Sequence, residues 1–170
     1  MGESMQKMKF KYVPAAPEKL EQIWDQTIAA NPGDDRWVQW KQNALQDNAS
    51  GRSLTFLVLC DGRPVGEGTL LFCTDCGAIA GRRELAECGR TTNINGLRIE
   101  KAFEGQGHIS RLVREMERYA VEHGYEKITI GVEAKEAHNL AIYLHWGYTA
   151  FLCSETEDGE LVLYYGKSLR

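Results

Sequence analysis

The sequence predicts an α+β fold built on a central, mostly antiparallel mixed sheet. Two turn sequences, at residues 61–64 and 157–159, join β-like runs as hairpins. Helical segments interrupt the β-like runs without the regular alternation of a dinucleotide-binding fold. A third observation is a pair of glycines, Gly105 and Gly107, which connects a β-like run directly to a strongly amphipathic helix.

The N-terminal half begins with a strand and two helices. A short β-like run covers residues 9–13. Pro17 and the Asn-Pro-Gly stop signal at 31–33 bound the first helix. Asp34 or Asp35 can cap the second helix, whose apolar residues recur on one face. Those residues are Trp37, Val38, Trp40 and Leu45.

Three strands follow these helices. Residues 53–60 and 65–72 read as strands, and the Asp-Gly-Arg-Pro turn at 61–64 joins them. Glycines and charged residues in 74–91 predict a loop or a short extra helix. A further strand is expected over 92–102, directly before the glycine turn.

The C-terminal half continues with a helix that ends near residues 123–124. Alternating apolar residues predict a strand over 127–132, and helical spacing predicts a helix over 137–146. A last hairpin is expected over 148–153 and 161–165. The resulting order is β-α-α-β-β-β-α-β-α-β-β.

Size and composition limit the functional classes. The 170 residues suit a single domain over 1–170 with a core of its own. The chain lacks both a run of ~20 apolar residues and a signal-like N-terminus, so we expect a cytoplasmic location and no membrane partner. A net charge of −4 argues against a nucleic-acid partner and is compatible with a cationic substrate.

The five cysteines leave two interpretations open. Their odd number, without a secretory signal, favours free thiols. Cys73 and Cys76 have the spacing of half a zinc site, and Cys88 could add a third ligand. No fourth ligand is evident, because no histidine lies between residues 60 and 100. We therefore expect no metal and keep a cysteine-centred zinc or redox protein as an alternative.

The glycine turn is the clearest candidate for a binding site. A strand that turns through glycines into a helix presents backbone N–H groups and the positive end of the helix dipole at one point. Phosphate or pyrophosphate groups bind at such points. Ordinary tight turns share this pattern, so the turn alone does not identify a ligand.

The element order and the glycine turn resemble the GNAT superfamily, whose members transfer acetyl groups from acetyl-CoA. The pyrophosphate loop of that family, commonly Gln/Arg-x-x-Gly-x-Gly/Ala, falls on residues 104–109. A second family motif, Asn-x-x-Ala/x-x-Tyr followed by Gly-Phe/Tyr, falls on residues 139–148. The resemblance covers about 95–148 well and the N-terminal half only in element order. It implies a three-layer α/β/α sandwich.

The resemblance also implies where the cofactor would lie. A kink separates the fourth strand from the fifth, the pantetheine arm lies in that gap, and loop N–H groups hold the diphosphate. By position, the cofactor-binding residues are Leu97, Arg98 and Ile99 on the strand, Glu104, Gly105, Gln106, Gly107, His108, Ile109 and Ser110 in the loop, and Asn139 and Tyr143 on the last helix.

Two loop residues depart from the family pattern. Glu104 stands where Arg or Gln is common and places a carboxylate near an anion. Ile109 replaces Gly or Ala and reduces the room at the start of the helix. Lys101, Arg111 or Arg114 could supply compensating positive charge.

Tyr143 is the candidate general acid. It lies one helical turn after Asn139, so both residues project from one face. A phenol there could protonate the departing thiolate. Tyr143 could instead be a half-buried aromatic residue, and Asn139 could be a cofactor contact or a helix cap.

The general base is harder to assign. Some relatives carry a Glu on the fourth strand at the position of Asn93. Glu67 is the candidate we select, and Glu100 and Glu133 are alternatives, although each could be a solvated surface charge. His108, expected to face outward, and His145 have no evident partner. Both are less favoured as catalytic residues.

The acceptor site is expected near the first two helices, as the resemblance implies. Trp37 and Trp40 could contribute to it or belong to the core. The predicted function is an acetyl-CoA-dependent N-acetyltransferase acting on a primary amine of a small molecule or peptide. A homodimer is expected from the resemblance. The alternative is a non-catalytic acyl-CoA-binding or interaction module.

Overall fold

Seven strands form one sheet in the computed structural model, which describes residues 7–170. The order of elements agrees with the predicted order. The elements are β1 (Phe10–Pro14), α1 (Pro17–Ala30), α2 (Arg36–Ser50), β2 (Ser53–Cys60), β3 (Arg63–Leu71), β4 (Thr91–Ile99), α3 (His108–Glu122), β5 (Lys127–Glu133), α4 (Ala137–His145), β6 (Ala150–Glu157) and β7 (Glu160–Ser168).

The sheet is mixed, as predicted. Its strand order is β1-β2-β3-β4-β5-β7-β6. Among the strands of residues 7–170, only β4 and β5 are parallel, and every other pair of neighbouring strands is antiparallel. The single parallel pair therefore lies inside the sheet, with antiparallel strands on both sides.

Helices cover both faces of the sheet because alternate residues of each strand point to opposite sides. On one face, Phe56 and Val58 of β2 belong to a core cluster with Met116 of α3. On the other face, Thr55 of β2 accepts a hydrogen bond from Asn48 Nδ2 of α2 (3.2 Å). The helix α4 packs on the same cluster as α3, so the structure has three layers.

The segment between β3 and β4 is a chain of turns without a further helix, so the loop interpretation holds. It carries its own small core. Buried Ile79 and Leu85 pack with Leu71 of β3 and Tyr164 of β7. This segment therefore covers the face of the sheet that α1 and α2 leave open.

Two predicted boundaries were wrong. The strand β4 ends at Ile99, and residues Lys101–Phe103 form a short 3₁₀ turn instead of further strand. The last hairpin is longer than expected, because polar residues at the end of β6 hide its alternation on an exposed edge strand. None of the helices between residues 7 and 170 is long and apolar enough to cross a bilayer.

Candidate functional site

A cleft opens between β4 and β5 where their pairing stops. The two strands pair only from Thr91 to Ile94 on β4. Gly96 has φ +67°, a conformation that glycine adopts without strain, and the β3–β4 register shifts beside it. Beyond this bulge β4 turns away from β5, leaving a cavity of about 340 Å³.

The cleft runs through the sheet from one face to the other. Leu97 and Tyr143 line it on the side of α3 and α4, and Ala78 and Tyr164 line it on the opposite side. Three carboxylates border it, those of Glu133, Glu136 and Glu157. Lys135 pairs with Glu133 and Arg82 pairs with Glu157, so two of the three negative charges are balanced at the rim of the cleft.

The glycine loop follows β4 and leads into α3, as predicted. Gly105 and Gly107 have φ values of +74° and +85°, and Gly107 is the N-cap of α3. The left-handed conformation at the cap directs the chain into the helix without a side chain over its first N–H groups. The loop is exposed from Glu104 to Gly107, so an anion could reach these N–H groups.

The two unusual loop residues leave the mouth of this site open. The Glu104 side chain is exposed to solvent. Ile109 packs against the hydrophobic core beneath α3, so its bulk is directed away from the loop. Lys101, Arg111 and Arg114 are exposed around the same turn. Because the Ile109 side chain packs into the core, it does not reduce the room at the start of α3.

The expected outward orientation of His108 was wrong. His108 is 5% exposed, and its ring lies against the ring of Phe10, with the two centroids 4.2 Å apart. Hydrogen bonds join Nδ1 to the Tyr12 hydroxyl (2.8 Å) and Nε2 to Gln106 Oε1 (3.2 Å). Burial, and secondly Arg111, lower the pKa of His108. His108 therefore fixes the loop onto β1.

Tyr143 lies on α4 and lines the cleft. Its ring packs beside Trp146, with centroids 5.7 Å apart. Burial, and secondly Glu136, raise the pKa of the Tyr143 phenol. Asn139 does not cap the helix, because the N-cap is Glu136, and Asn139 Nδ2 donates to Glu136 Oε2 (2.8 Å).

The expectation that Glu67 is a solvated surface charge was wrong. Glu67 is 3% exposed and lies opposite Arg98 on the neighbouring strand. Arg98 Nε donates to Glu67 Oε1 (3.0 Å), and Arg98 Nη2 donates to the same oxygen. Burial raises the pKa of Glu67 although Arg98 opposes that shift.

The other two base candidates are ion-paired near the surface. Arg63 donates to both carboxylate oxygens of Glu100, at 2.7 and 3.0 Å. Glu133 lies 3.5 Å from Lys135 Nζ. Of the three carboxylates, only Glu67 combines burial with a strongly perturbed environment, which makes it the strongest candidate.

The tryptophans surround Arg98. Its guanidinium lies over the rings of Trp24 and Trp37, 4.9 and 5.0 Å from their centroids. None of the 15 residues of α2 is buried, so Trp40, which is 38% exposed, is not a core residue. Trp37 lines a second cavity of about 390 Å³, together with Glu67 and Arg98.

Asn93 and Glu157 also line the cleft. Asn93 is buried and donates to Thr129 Oγ1 (2.8 Å). Sequence reasoning missed Glu157, which accepts hydrogen bonds from Tyr164 (2.7 Å) and Arg82 (3.2 Å). Burial, and secondly the bond to Glu157, raise the pKa of Tyr164 to about 12. No local spacing indicates the contact with Arg82, which lies 75 positions before Glu157 in the sequence.

The cysteines are free thiols. Cys73 Sγ and Cys88 Sγ lie 3.0 Å apart, whereas Cys76 is buried and donates to the Arg52 carbonyl oxygen. Within residues 7–170, no group of three or more His, Cys, Asp or Glu side chains is arranged to hold a metal ion.

A sequence model described as the acetyltransferase (GNAT) family matches residues 17–148. The chain belongs to this family. The match and the observed element order confirm the expected fold and the expected enzyme class, an acetyltransferase. No curated protein sequence matches the chain significantly.

Solved structures of GNAT proteins are similar along nearly the whole chain. A protein from Desulfovibrio desulfuricans assigned to the GNAT family has a TM-score of 0.71 and 9% identity, covering 95% of this chain and 100% of its own. YncA from Salmonella typhimurium, solved with acetyl-CoA, has a TM-score of 0.69 and 12% identity, covering 95% and 94%. PaiA N-acetyltransferase from Thermoplasma acidophilum, solved with coenzyme A, has a TM-score of 0.61 and 14% identity, covering 93% and 99%. At these identities the likeness concerns the fold alone.

Proposed function

We propose that the chain is an acetyl-CoA-dependent N-acetyltransferase that moves an acetyl group to a primary amine by direct attack on the thioester. The observation that carries this proposal is the β4–β5 cleft, which Tyr143 lines and which follows β4, the strand that leads towards the glycine loop. The structures of YncA and PaiA, which hold acetyl-CoA and coenzyme A, support the choice of cofactor.

The cleft suits a pantetheine arm on structural grounds. Beyond Ile94 and Ile130 the facing edges of β4 and β5 no longer pair with each other. The arm carries amide groups, so it can hydrogen-bond to these edges as an added strand does. Backbone groups of Leu97, Arg98 and Ile99 would hold the arm and the thioester, and the N–H groups of the loop would hold the diphosphate.

Tyr143 is assigned the role of general acid. The Tyr143 phenol is protonated at neutral pH, because the pKa of a tyrosine in water is already about 10 and burial raises it further. A thiolate that leaves in the same partly buried cleft is a stronger base than a thiolate in water, because burial disfavours its charge. Proton transfer from the Tyr143 hydroxyl would then offset the cost of expelling the thiolate.

Glu67 is assigned the role of general base. A lysine-like amine must lose a proton before attack, at a cost of roughly 4 kcal/mol near neutral pH. The pKa of Glu67 is raised by burial, which brings it closer to the working pH and makes the carboxylate a better base. Transfer would run through water, because Glu67 lies on β3, one strand away from the cleft.

One observation favours the alternative of a non-catalytic acyl-CoA-binding module. Asn93 occupies the strand position where some relatives carry a Glu, and its amide is tied to Thr129. Such a module would bind acetyl-CoA without releasing CoA in the presence of any amine.

The expected homodimer stays a proposal. The edge strand β6 with its exposed Phe151 offers a surface for pairing, and light scattering would test the oligomeric state.

The test is thiol release from acetyl-CoA across a panel of amines and peptides. Tyr143→Phe keeps the aromatic ring, so we expect turnover to fall about 100-fold or more with cofactor affinity nearly unchanged. Tyr125→Phe removes a hydroxyl remote from the cleft and should act as the wild type. CoA binding without release by any acceptor would establish the non-catalytic alternative, and equal turnover in Tyr143→Phe would remove the acid role.

A further inference from the structure

A partly buried ion pair lies on the face of the sheet that carries α3 and α4. Lys167 of β7 donates to Glu117 of α3, with Nζ and Oε2 2.7 Å apart. Charged groups that are partly withdrawn from water need partners, and a network of such groups stiffens the elements that it joins. We call these two side chains the Glu117–Lys167 pair. It connects the helix behind the glycine loop to the last strand of the chain.

Lys167 also holds the C-terminal end of α4. Its Nζ donates to the carbonyl oxygen of Trp146, the C-cap residue of α4, at 2.9 Å. The last carbonyl groups of a helix lack partners within the helix and carry partial negative charge, so a lysine satisfies one of them favourably. The stem of Lys167 crosses Gly147, where an added Cβ would meet Lys167 Cε at 3.4 Å. Lys167 therefore ties the end of α4 to the sheet.

Tyr148 connects the same ion pair to the backbone of Tyr143. Tyr148 is fully buried, and its hydroxyl donates to Glu117 Oε1 (3.2 Å). Lys167 Nζ lies 5.5 Å from the centroid of the Tyr148 ring. The backbone N–H of Tyr148 donates to the carbonyl oxygen of Tyr143 (3.0 Å). The Glu117–Lys167 pair thus holds the chain at two points directly after α4, at Trp146 and at Tyr148.

Apart from this tie, half-buried aromatic side chains hold α4 against the core. None of the 9 residues of α4 is buried. Within residues 7–170, no second hydrogen bond joins Ala137–Trp146 to another helix or strand. The Tyr143 hydroxyl has no hydrogen-bond partner in the described part of the chain. Its place in the cleft therefore depends on the backbone of α4 and on the packing of its ring beside Trp146.

We propose that Lys167 is a positioning residue for the reaction. Through the Trp146 carbonyl and the last turn of α4, it sets where the Tyr143 hydroxyl lies in the cleft, and Glu117 holds the lysine in place. Tyr143 lies one helical turn before Trp146, so a shift of that turn moves the phenol. A displacement of about 1 Å can lower a rate about 100-fold. The inference rests on the proposed function, in which Tyr143 protonates the leaving thiolate.

Fluorine NMR tests the placement of the phenol without any acceptor. The protein is labelled with 3-fluorotyrosine, and the resonance of residue 143 is identified by its absence from Tyr143→Phe. Lys167→Met keeps an unbranched side chain of similar length and removes its charge and its donors. We expect Lys167→Met to shift or broaden this resonance, and Glu117→Gln, which removes the charge that holds the lysine, to do the same.

Arg118→Met is the matched control, because Arg118 is an exposed cation on α3 that pairs with Glu115 of the same helix. It should leave the resonance of residue 143 unchanged. An unchanged resonance in both Lys167→Met and Glu117→Gln overturns the proposal.

A double-mutant cycle separates positioning from a general loss of stability. Thiol release from acetyl-CoA is measured with the amine of the panel that gives the highest rate. We expect Lys167→Met to lower kcat about 10-fold or more, with the KM for acetyl-CoA changed by less than about 2-fold. In the Tyr143→Phe background the same substitution should lower kcat by less than about 2-fold, because the hydroxyl that Lys167 places is absent. Equal losses in both backgrounds overturn the proposal.

Failure of this inference and failure of the proposed function give different results. If no amine releases CoA, acetyl transfer is refuted, whereas a shifted resonance of residue 143 still supports the placement by Lys167. If Tyr143→Phe slows the release of CoA but Lys167→Met slows it equally in both backgrounds, the acid role stands and the positioning role is refuted.

Discussion

Replacing Gly107 by Ala tests the anion-binding role of the glycine loop. Gly107 is the N-cap of α3 with φ +85°. Alanine in this left-handed conformation costs about 1–2 kcal/mol of folding free energy. A Cβ at this position would meet no heavy atom within 4 Å, so no clash adds to that cost. Gly107→Ala is therefore expected to fold with slightly reduced stability.

The effect of Gly107→Ala on cofactor affinity should be larger than its effect on the fold. The added methyl group would stand beside the N–H groups to which we assign the diphosphate. A hydrogen bond to a charged group contributes about 1.5–3 kcal/mol. Loss of one such bond predicts an affinity for CoA that is lower by about 10- to 150-fold.

Gly124→Ala provides the matched control. Gly124 follows the other end of α3, has φ +82°, and would also place a Cβ in open space. Urea unfolding should show similar stability losses for both variants, whereas calorimetry with CoA should show an affinity loss only for Gly107→Ala. Wild-type affinity in Gly107→Ala, or equal affinity losses in both variants, would refute the loop assignment.

Three further predictions concern titratable groups. Burial raises the pKa of Glu67, so kcat/KM should begin to fall, as the pH is lowered, at a pH above the ordinary pKa of a glutamate. The variant Glu67→Gln should lack this pH dependence. The pKa of His108 is lowered on folding, so its contribution to stability is present above about pH 6.5 and decreases below it. Urea unfolding of wild type and His108→Gln at about pH 7.5 and about pH 5.5 should show the wild type losing its advantage at the lower pH, and parallel curves would contradict this. Diamide should oxidise Cys73 and Cys88 to one intramolecular disulfide. The reaction should be faster at higher pH, because the pKa of Cys73 is raised to about 12 and the thiolate is the reactive form. A Cys73→Ser variant that forms the same cross-link would contradict this prediction.

Local patterns predicted the fold and the glycine loop well. The strands alternate with a period of two, α3 carries a continuous apolar face, and turn residues mark both hairpins. The burial of His108 could also be predicted from the sequence, because His108 lies four residues before Leu112 on the apolar face of α3. Its position in the glycine loop predicts an outward orientation instead, which was wrong.

The environment of Glu67 could not be read from local patterns. Its burial depends on pairing with Arg98, 31 positions later, in a register that the Gly96 bulge sets. The stacking of Trp24 and Trp37 on Arg98 adds contacts between three separate elements. Glu157 likewise meets Arg82 only because the segment after β3 folds back over the sheet. Such contacts follow from topology and not from spacing.

A crystal structure with bound CoA tests the central claim most directly. The account predicts that the pantetheine arm lies between residues 94–99 of β4 and 130–133 of β5. It also predicts that the diphosphate lies within hydrogen-bond distance of backbone N–H groups between Gln106 and Ser110. An arm bound elsewhere, with the β4–β5 cleft empty, or no binding at millimolar CoA, would contradict it.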